Sequence, residues 1–220
     1  GLGDVYKRQD LGKAEAILTP NEQIPGEIYQ YHDRMKTYIV EVKKTSKGPQ
    51  IMVSRTHPGL LKRLFELEVP EIHDGLVEIK SVAREPGMRS KISVYTKDEN
   101  IDPVGACVGH KGMRVQTIVN ELRGEKIDIV KYSSEPDQYV ANALSPAKVV
   151  STEVLEEEKI CRVIVPDYQL SLAIGKEGQN ARLAAKLTGW KIDIKSESQA
   201  AEEAEQGAQE VGVAYEADED

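Results

Sequence analysis

The 220-residue sequence is poor in aromatic residues, with nine Tyr, one Phe and one Trp. Cores must therefore be built from Val, Ile, Leu and Ala, as in small α+β modules, and a large aromatic-lined ligand pocket is not expected. Cysteine is nearly absent. Cys107 and Cys161 each lie in an apolar run with no His or Cys at ligand spacing, so both read as small buried hydrophobes rather than disulfide or metal partners. No apolar stretch approaches the roughly 20 residues of a membrane span, and nothing resembles a signal peptide, which makes a cytoplasmic chain without a membrane partner the expectation. His32, His57, His73 and His110 are scattered, with no Ser/His/Asp or metal-ligand grouping to recruit them. Neither an enzyme nor a cofactor is expected from that pattern.

An excess of basic charge is also missing, because the formal net charge is −8. The acids are concentrated at one end. Residues 200–220 carry Glu202, Glu203, Glu205, Glu210, Glu216, Asp218, Glu219 and Asp220 and no Lys or Arg, which leaves 29 acids against 29 bases in residues 1–199. A neutral folded part can still carry local basic patches. Its length suits two or three small domains.

What the sequence does contain is an internal repeat. Val108-Gly109-His110-Lys111-Gly112 and Ile174-Gly175-Lys176-Glu177-Gly178 stand 66 residues apart, and Lys126-Ile127-Asp128-Ile129 recurs as Lys191-Ile192-Asp193-Ile194 at 65. Among 17 glycines only these two pairs are three apart. In the first copy Val77 to Ile79 and Lys91 to Val94 alternate like half-buried strands across the turn pair Pro86-Gly87. A short helix over Pro103 to Val108 precedes the glycine turn. A second helix follows it, with Val115, Ile118, Val119 and Leu122 on one face, and a strand runs from Lys126 to Lys131. The second copy predicts strands near Val149 to Leu155 and Lys159 to Val165, a helix from Asp167, a helix through Leu187 and a strand from Lys191. Each copy has a candidate leading helix, Leu60 to Leu67 and Gln138 to Leu144. Residues 11–56 read as strands of a partial barrel, residues 1–10 as a spurious or disordered start, and residues 198–220 as a disordered acidic tail.

A Gly-x-x-Gly between two helices has a physical use. Without Cβ atoms the turn reverses tightly and lets a sugar-phosphate chain approach, while the next helix offers free N–H groups and its positive dipole end. In KH modules this turn clamps one side of about four unpaired nucleotides. The candidate contacts are Gly109, His110, Lys111, Gly112, Arg114 and Gln116 in the first copy, and Gly175, Lys176, Glu177, Gly178, Gln179, Asn180, Arg182 and Lys186 in the second. Glu177 is the exception in sign, since a carboxylate there repels phosphate. A phosphate-binding P-loop is the rival reading, but Gly105 to Gly112 lacks the Gly-Lys-Ser/Thr ending.

Several stretches resemble one family beyond the general KH pattern: Arg84-Glu85-Pro86-Gly87-Met88-Arg89-Ser90-Lys91-Ile92, Asp102 to Gly109, Glu125-Lys126-Ile127-Asp128-Ile129, Leu170 to Leu183, and Ser54-Arg55-Thr56-His57-Pro58. These are similar to the NusA family, over about residues 11 to 195. The resemblance implies an α+β chain: a partial OB-type (S1) β-barrel over 11–56 and two tandem type II KH domains over 57–135 and 136–197. It further implies a monomeric factor that binds single-stranded RNA, the nascent transcript, and associates with the RNA polymerase elongation complex to modulate pausing, termination and antitermination. The family's amino-terminal polymerase-binding domain is not found in this sequence, so polymerase binding by this chain is expected to be weak. The alternatives are the KH/S1 accessory region of an RNA-turnover enzyme, disfavoured because the barrel here precedes the KH modules, and a ribosome-associated RNA-binding protein.

Overall fold

A computed structural model of the chain describes residues 7–11 and 14–216, with side chains through residue 207. Two compact units divide at Lys131 and Tyr132. The first unit opens with β1 (Lys7–Asp10), β2 (Glu15–Leu18), β3 (Tyr38–Thr45) and β4 (Gly48–Ser54), which form one sheet in the order β1-β2-β4-β3. Strands β2 and β4 are parallel and the other pairs antiparallel. Ala16, Leu18 and Val53 make its small core. The end strand β3 leaves Ile39, Val40 and Val42 exposed, and among the described residues the expected partial barrel is an open four-stranded sheet.

Strand β1 corrects the expectation that residues 1–10 lie outside the fold, at least for Lys7 to Asp10. These four residues pair antiparallel with β2, Gln9 Nε2 donates to Met35 O (2.8 Å), and Thr37 Oγ1 donates to Gln9 Oε1 (2.7 Å). The segment is a polar edge strand, and its Lys-Arg-Gln-Asp sequence carries no apolar alternation to announce it. Residues 1–6 lie outside the described residues.

The first repeat follows as α1 (Pro58–Glu68), α2 (Pro70–His73), β5 (Glu78–Glu85), β6 (Arg89–Tyr95), α3 (Pro103–Val108), α4 (Met113–Glu121) and β7 (Lys126–Lys131). His57 starts α1: its Nδ1 accepts the Gly59 N–H at 2.8 Å, and Pro58 occupies the first helical position, where no amide is needed. The Tyr38 ring stacks on His57 at 4.5 Å, tying β3 to the start of α1. Helix α1 buries Leu60, Leu61, Leu64 and Phe65 against Val77, Ile92, Val94, Cys107, Ile118 and Leu122. Burial pushes the Cys107 thiol up to about 12, with the Glu71 carboxylate adding to the effect, which makes it the inert core residue its apolar run suggests. The sheet order is β5-β6-β7, with β7 parallel to β6. The second unit repeats this plan with α5 (Pro136–Ala143), β8 (Ser151–Leu155), β9 (Ile160–Val165), α6 (Leu170–Ile174), α7 (Gln179–Thr188) and β10 (Lys191–Ser196). Its sheet runs β8-β9-β10, and β10 is parallel to β9. Gly189 ends α7 at φ 78°, its N–H donating to Ala185 O.

Helix α8 (Glu197–Glu216) continues from β10 where a disordered tail from residue 198 was expected. Its Ala, Glu and Gln residues are strong helix formers, and no apolar period marks them because the described part faces solvent. The start is fixed locally. Ser196 N–H donates to Gln199 Oε1 (3.0 Å), Gln199 N–H to Ser196 Oγ (3.2 Å), and Lys195 Nζ pairs with Glu203 at 2.6 Å. Residues 217–220 lie outside the described residues.

The hairpin of the first repeat is closed by buried charge. Glu125, fully buried, accepts from Arg84 Nε and Nη2 (3.0 Å each at best), the Gly87 N–H (2.8 Å) and Ser90 Oγ (2.9 Å). The Arg84 side chain is 1% exposed and its Nη1 donates to His57 O at 3.0 Å. Asp128 takes two bonds from Arg89 (2.8 and 2.9 Å) and one from the buried Lys91 (2.9 Å). Burial pushes the Asp128 carboxyl up, but Arg89 and Lys91 outweigh it and hold it below the ordinary carboxylate range. Burial dominates at Lys91 and lowers its ammonium despite Asp128. At Asp128 two cations meet one carboxylate at bonding distance, which keeps it ionised.

Two outcomes follow from this network. Glu125→Ala leaves the Arg84 guanidinium buried without its counter-ion and should destabilise the first unit by about 3–5 kcal/mol, read as a lowered urea midpoint. Asp128, with its folded value depressed, contributes stability that is present above the unfolded value of about 4 and lost as pH falls through the folded one. Urea titrations from pH 6 to 3 should show the wild type losing more stability than Asp128→Asn, which starts lower.

Candidate nucleic-acid interface

The two glycine turns have nearly superimposable backbones. Gly109 has φ 77° and ψ 172°, Lys111 φ 51° and ψ 31°, Gly112 φ 72° and ψ 14°. Gly175, Glu177 and Gly178 give 79° and 169°, 54° and 27°, and 74° and 12°. In each, the second glycine's N–H donates to the first glycine's carbonyl at 3.1 Å. The middle residues Lys111 and Glu177 are held in the left-handed region, a local cost of order 1–3 kcal/mol that the surrounding fold must absorb.

The first glycine of each turn is required by space. A Cβ on Gly109 would stand 2.6 Å from Arg114 Cγ, and one on Gly175 would stand 2.7 Å from the backbone nitrogen of Asn180. The residue five positions on therefore closes over the turn in both units, and in both it holds the preceding helix. Arg114 Nη1 donates to Ala106 O in α3 (2.7 Å) and to Glu71 in α2 (2.8 Å). Asn180 Nδ2 donates to Ala173 O in α6 (2.9 Å) and to Leu144 O after α5 (3.0 Å). The second glycines have open space around them, so only their positive φ restricts them.

Helices α4 and α7 begin directly after the turns, with Gly112 and Gly178 as N-caps that have no side chain to bond the first-turn amides. No acidic residue lies in either first turn. His110, Lys111, Lys176 and Glu177 are exposed around these helix starts. The arrangement can take a phosphate on backbone N–H groups with ammonium charge beside it. Arg182 is exposed and its Nη1 donates to Glu177 O (3.1 Å), while Lys186 is exposed one turn further along α7. Gln116 is exposed and bonded to Asn120 at 2.9 Å. Gln179 is half-buried.

Two residues of the expected contact set lie elsewhere. Asn180 is 2% exposed, with its amide committed to two backbone carbonyls. Arg114 is half-buried in its bonds to Glu71 and Ala106. Both reach back to the preceding helix and brace the turn, Asn180 from a buried position and Arg114 with its side chain 31% exposed. Helical spacing puts them beside the turn but cannot show a neighbouring carbonyl. Sequence reading also passed over Tyr168, Leu172 and Ile174, which stand exposed on the segment entering the second turn.

The two three-stranded sheets, each with one parallel third strand and a glycine turn between the last two helices before that strand, define a tandem pair of type II KH domains. Residues 55–132 match the NusA-like first KH domain and residues 136–202 the NusA-like second KH domain. The chain belongs to the NusA family. It is 74% identical over 193 residues to the transcription termination/antitermination protein NusA of Halalkalibacterium halodurans, an alignment covering 88% of this chain and 50% of that protein. Against the protein of the same name from Bacillus subtilis it is 73% identical, over 87% of this chain and 52% of the relative. Against that of Thermus thermophilus it is 52% identical, over 83% and 47%. The chain thus spans about half the length of these relatives.

Substitution at the four turn glycines should separate space from conformation. Gly112→Asn and Gly178→Asn, which need only the left-handed region, should cost roughly 1 kcal/mol, whereas Gly109→Ala and Gly175→Ala should cost several times that, as judged by thermal melting of each variant.

Proposed function

We propose that this chain is the RNA-binding region of a transcription factor that acts on pausing, termination and antitermination. The observation that carries the reading is the paired turn: two copies of one backbone conformation, each feeding an uncapped helix start ringed by exposed His110 and Lys111 or by Lys176. Such a turn suits a flexible single strand, whose backbone can be drawn against N–H groups while its bases remain free for edge and apolar contacts. Glu177 opposes phosphate, so in the second unit the backbone amides, Lys176 and Arg182 supply the attraction. The ligand is a single-stranded transcript and the setting is the elongating polymerase, a reading supported by relatives named as transcription termination/antitermination proteins. The role is binding rather than catalysis, by a cytoplasmic chain.

The test is a charge reversal on exposed positions. His110→Asp with Lys111→Asp should weaken binding to a labelled unstructured RNA about tenfold at low salt and reduce the slope of log affinity against log salt by roughly 1 to 2, with circular dichroism unchanged. Unaltered affinity with an unaltered fold would remove the first turn as a contact. Tighter binding to duplex RNA than to single strands would contradict the KH reading.

A further inference from the structure

The second unit presents an aromatic ring that its own packing does not use. Tyr168 is 81% exposed, in a chain where aromatic residues are few. It lies in the 3-10 turn Asp167–Gln169 that runs straight into α6, the helix that ends at Gly175. The residues on either side of it are fastened. Asp167 accepts the Ser198 N–H at 3.0 Å and the Ser198 hydroxyl, both from the first turn of α8. Gln169 Oε1 accepts the Lys148 N–H at 3.0 Å. The ring is therefore carried outward on a turn pinned at two points, and a ligand that covers it orders little beyond two side-chain torsions.

The surroundings match a nucleic-acid strand. From Tyr168 to Gly175 the chain advances roughly 10 Å along a helical path, within the reach of the few nucleotides that one glycine turn holds. Leu172 and Ile174 are exposed on α6 between them, 43% and 37%. Lys148 is exposed beside the bonded Gln169, and Lys176 is exposed in the turn at the other end, so cations stand near both ends of the segment that carries these exposed apolar side chains. The nearby Asp167 carboxylate is engaged by Ser198. An aromatic ring and aliphatic side chains between two ammonium groups suit bases and phosphates of one strand better than an uncharged protein surface. In the first unit the position 66 residues earlier is Asp102, so that unit has no ring there.

We infer that Tyr168 is a stacking platform for an unpaired base of the strand whose backbone the Gly175 turn holds, with Leu172 and Ile174 receiving the bases between. This deepens the RNA-binding reading and rests on it. It assigns base stacking to the second unit and leaves the first with backbone and edge contacts, and it gives the start of α8 a positioning role through Ser198.

The experiment uses the full chain and a 5′-labelled single-stranded RNA pool of ten random nucleotides, with Lys176→Asp as the reference for loss of the turn. Tyr168→Ala should weaken binding about five- to thirtyfold, Tyr168→Phe should bind within about twofold of wild type because the ring is kept, and Tyr168→Trp should bind and show ring emission quenched by RNA. Since the side chain is exposed, all three should melt like wild type. Wild-type affinity for Tyr168→Ala while Lys176→Asp loses binding would overturn the platform and leave the RNA reading standing. Wild-type affinity in both would overturn both. Loss in Tyr168→Phe equal to that in Tyr168→Ala would also overturn stacking, because it would trace the effect to the hydroxyl.

Discussion

A single buried carboxylate organises the first unit. Glu125 sits at the entry to the parallel third strand and binds the guanidinium, the amide and the hydroxyl of three residues across the β5-β6 hairpin. It thereby fixes where β7 begins, and Lys126 N–H meets Met88 O at 3.1 Å to start the ladder. Helix α4 must end where that strand begins, and its other end is the glycine turn, so the turn's position is inherited from the Glu125 contacts. Arg55 reinforces the same corner, with its Nη2 donating to Glu121 O at 3.0 Å while its guanidinium pairs with Glu27 at 2.8 Å. A buried ion pair is weak evidence of net stability, but removing one partner is costly, and that asymmetry makes the network a strong constraint on register.

The second unit reaches the same backbone without that network. Its ladder starts equivalently, Lys191 N–H donating to Lys159 O at 3.0 Å, but the position of Glu125 is taken by Trp190, and the Lys159 ammonium lies 4.7 Å from the indole ring centre. A cation over a ring replaces an ion pair. The turn supports differ likewise: Arg114 reaches α2 through Glu71, whereas Asn180 is neutral and sealed. One turn geometry is thus specified twice by different chemistry, which indicates that the geometry itself is what both halves of the repeat serve.

Much of this was legible in the sequence because it is periodic or steric. The repeat offset located both glycine turns, the strands after them and α7, and apolar spacing located α4. The stretches that carry the family resemblance were recognisable, but their physical meaning was not: Arg84, Gly87, Ser90 and Glu125 form one cluster only after the chain has folded. Asn180 and Arg114 looked like ligand contacts because they neighbour the turn, and only tertiary packing reveals the carbonyls they serve. Lys7 to Asp10 and the start of α8 escaped notice because exposed polar strands and helices carry no hydrophobic period. Tyr168 was missed for the opposite reason, since a lone aromatic reads as core until its exposure is known.

We propose that the two glycine turns and the helix starts behind them are where a single RNA strand meets this chain. Amide chemical-shift mapping of the ¹⁵N-labelled protein, titrated with an unstructured RNA and in parallel with a duplex of the same composition, tests it most directly. The single strand should move the amides of residues 109–114 and 175–180 most, with the duplex producing little change there. Unmoved amides in both turns, with the shifts confined to the four-stranded sheet of residues 7–54, would contradict it.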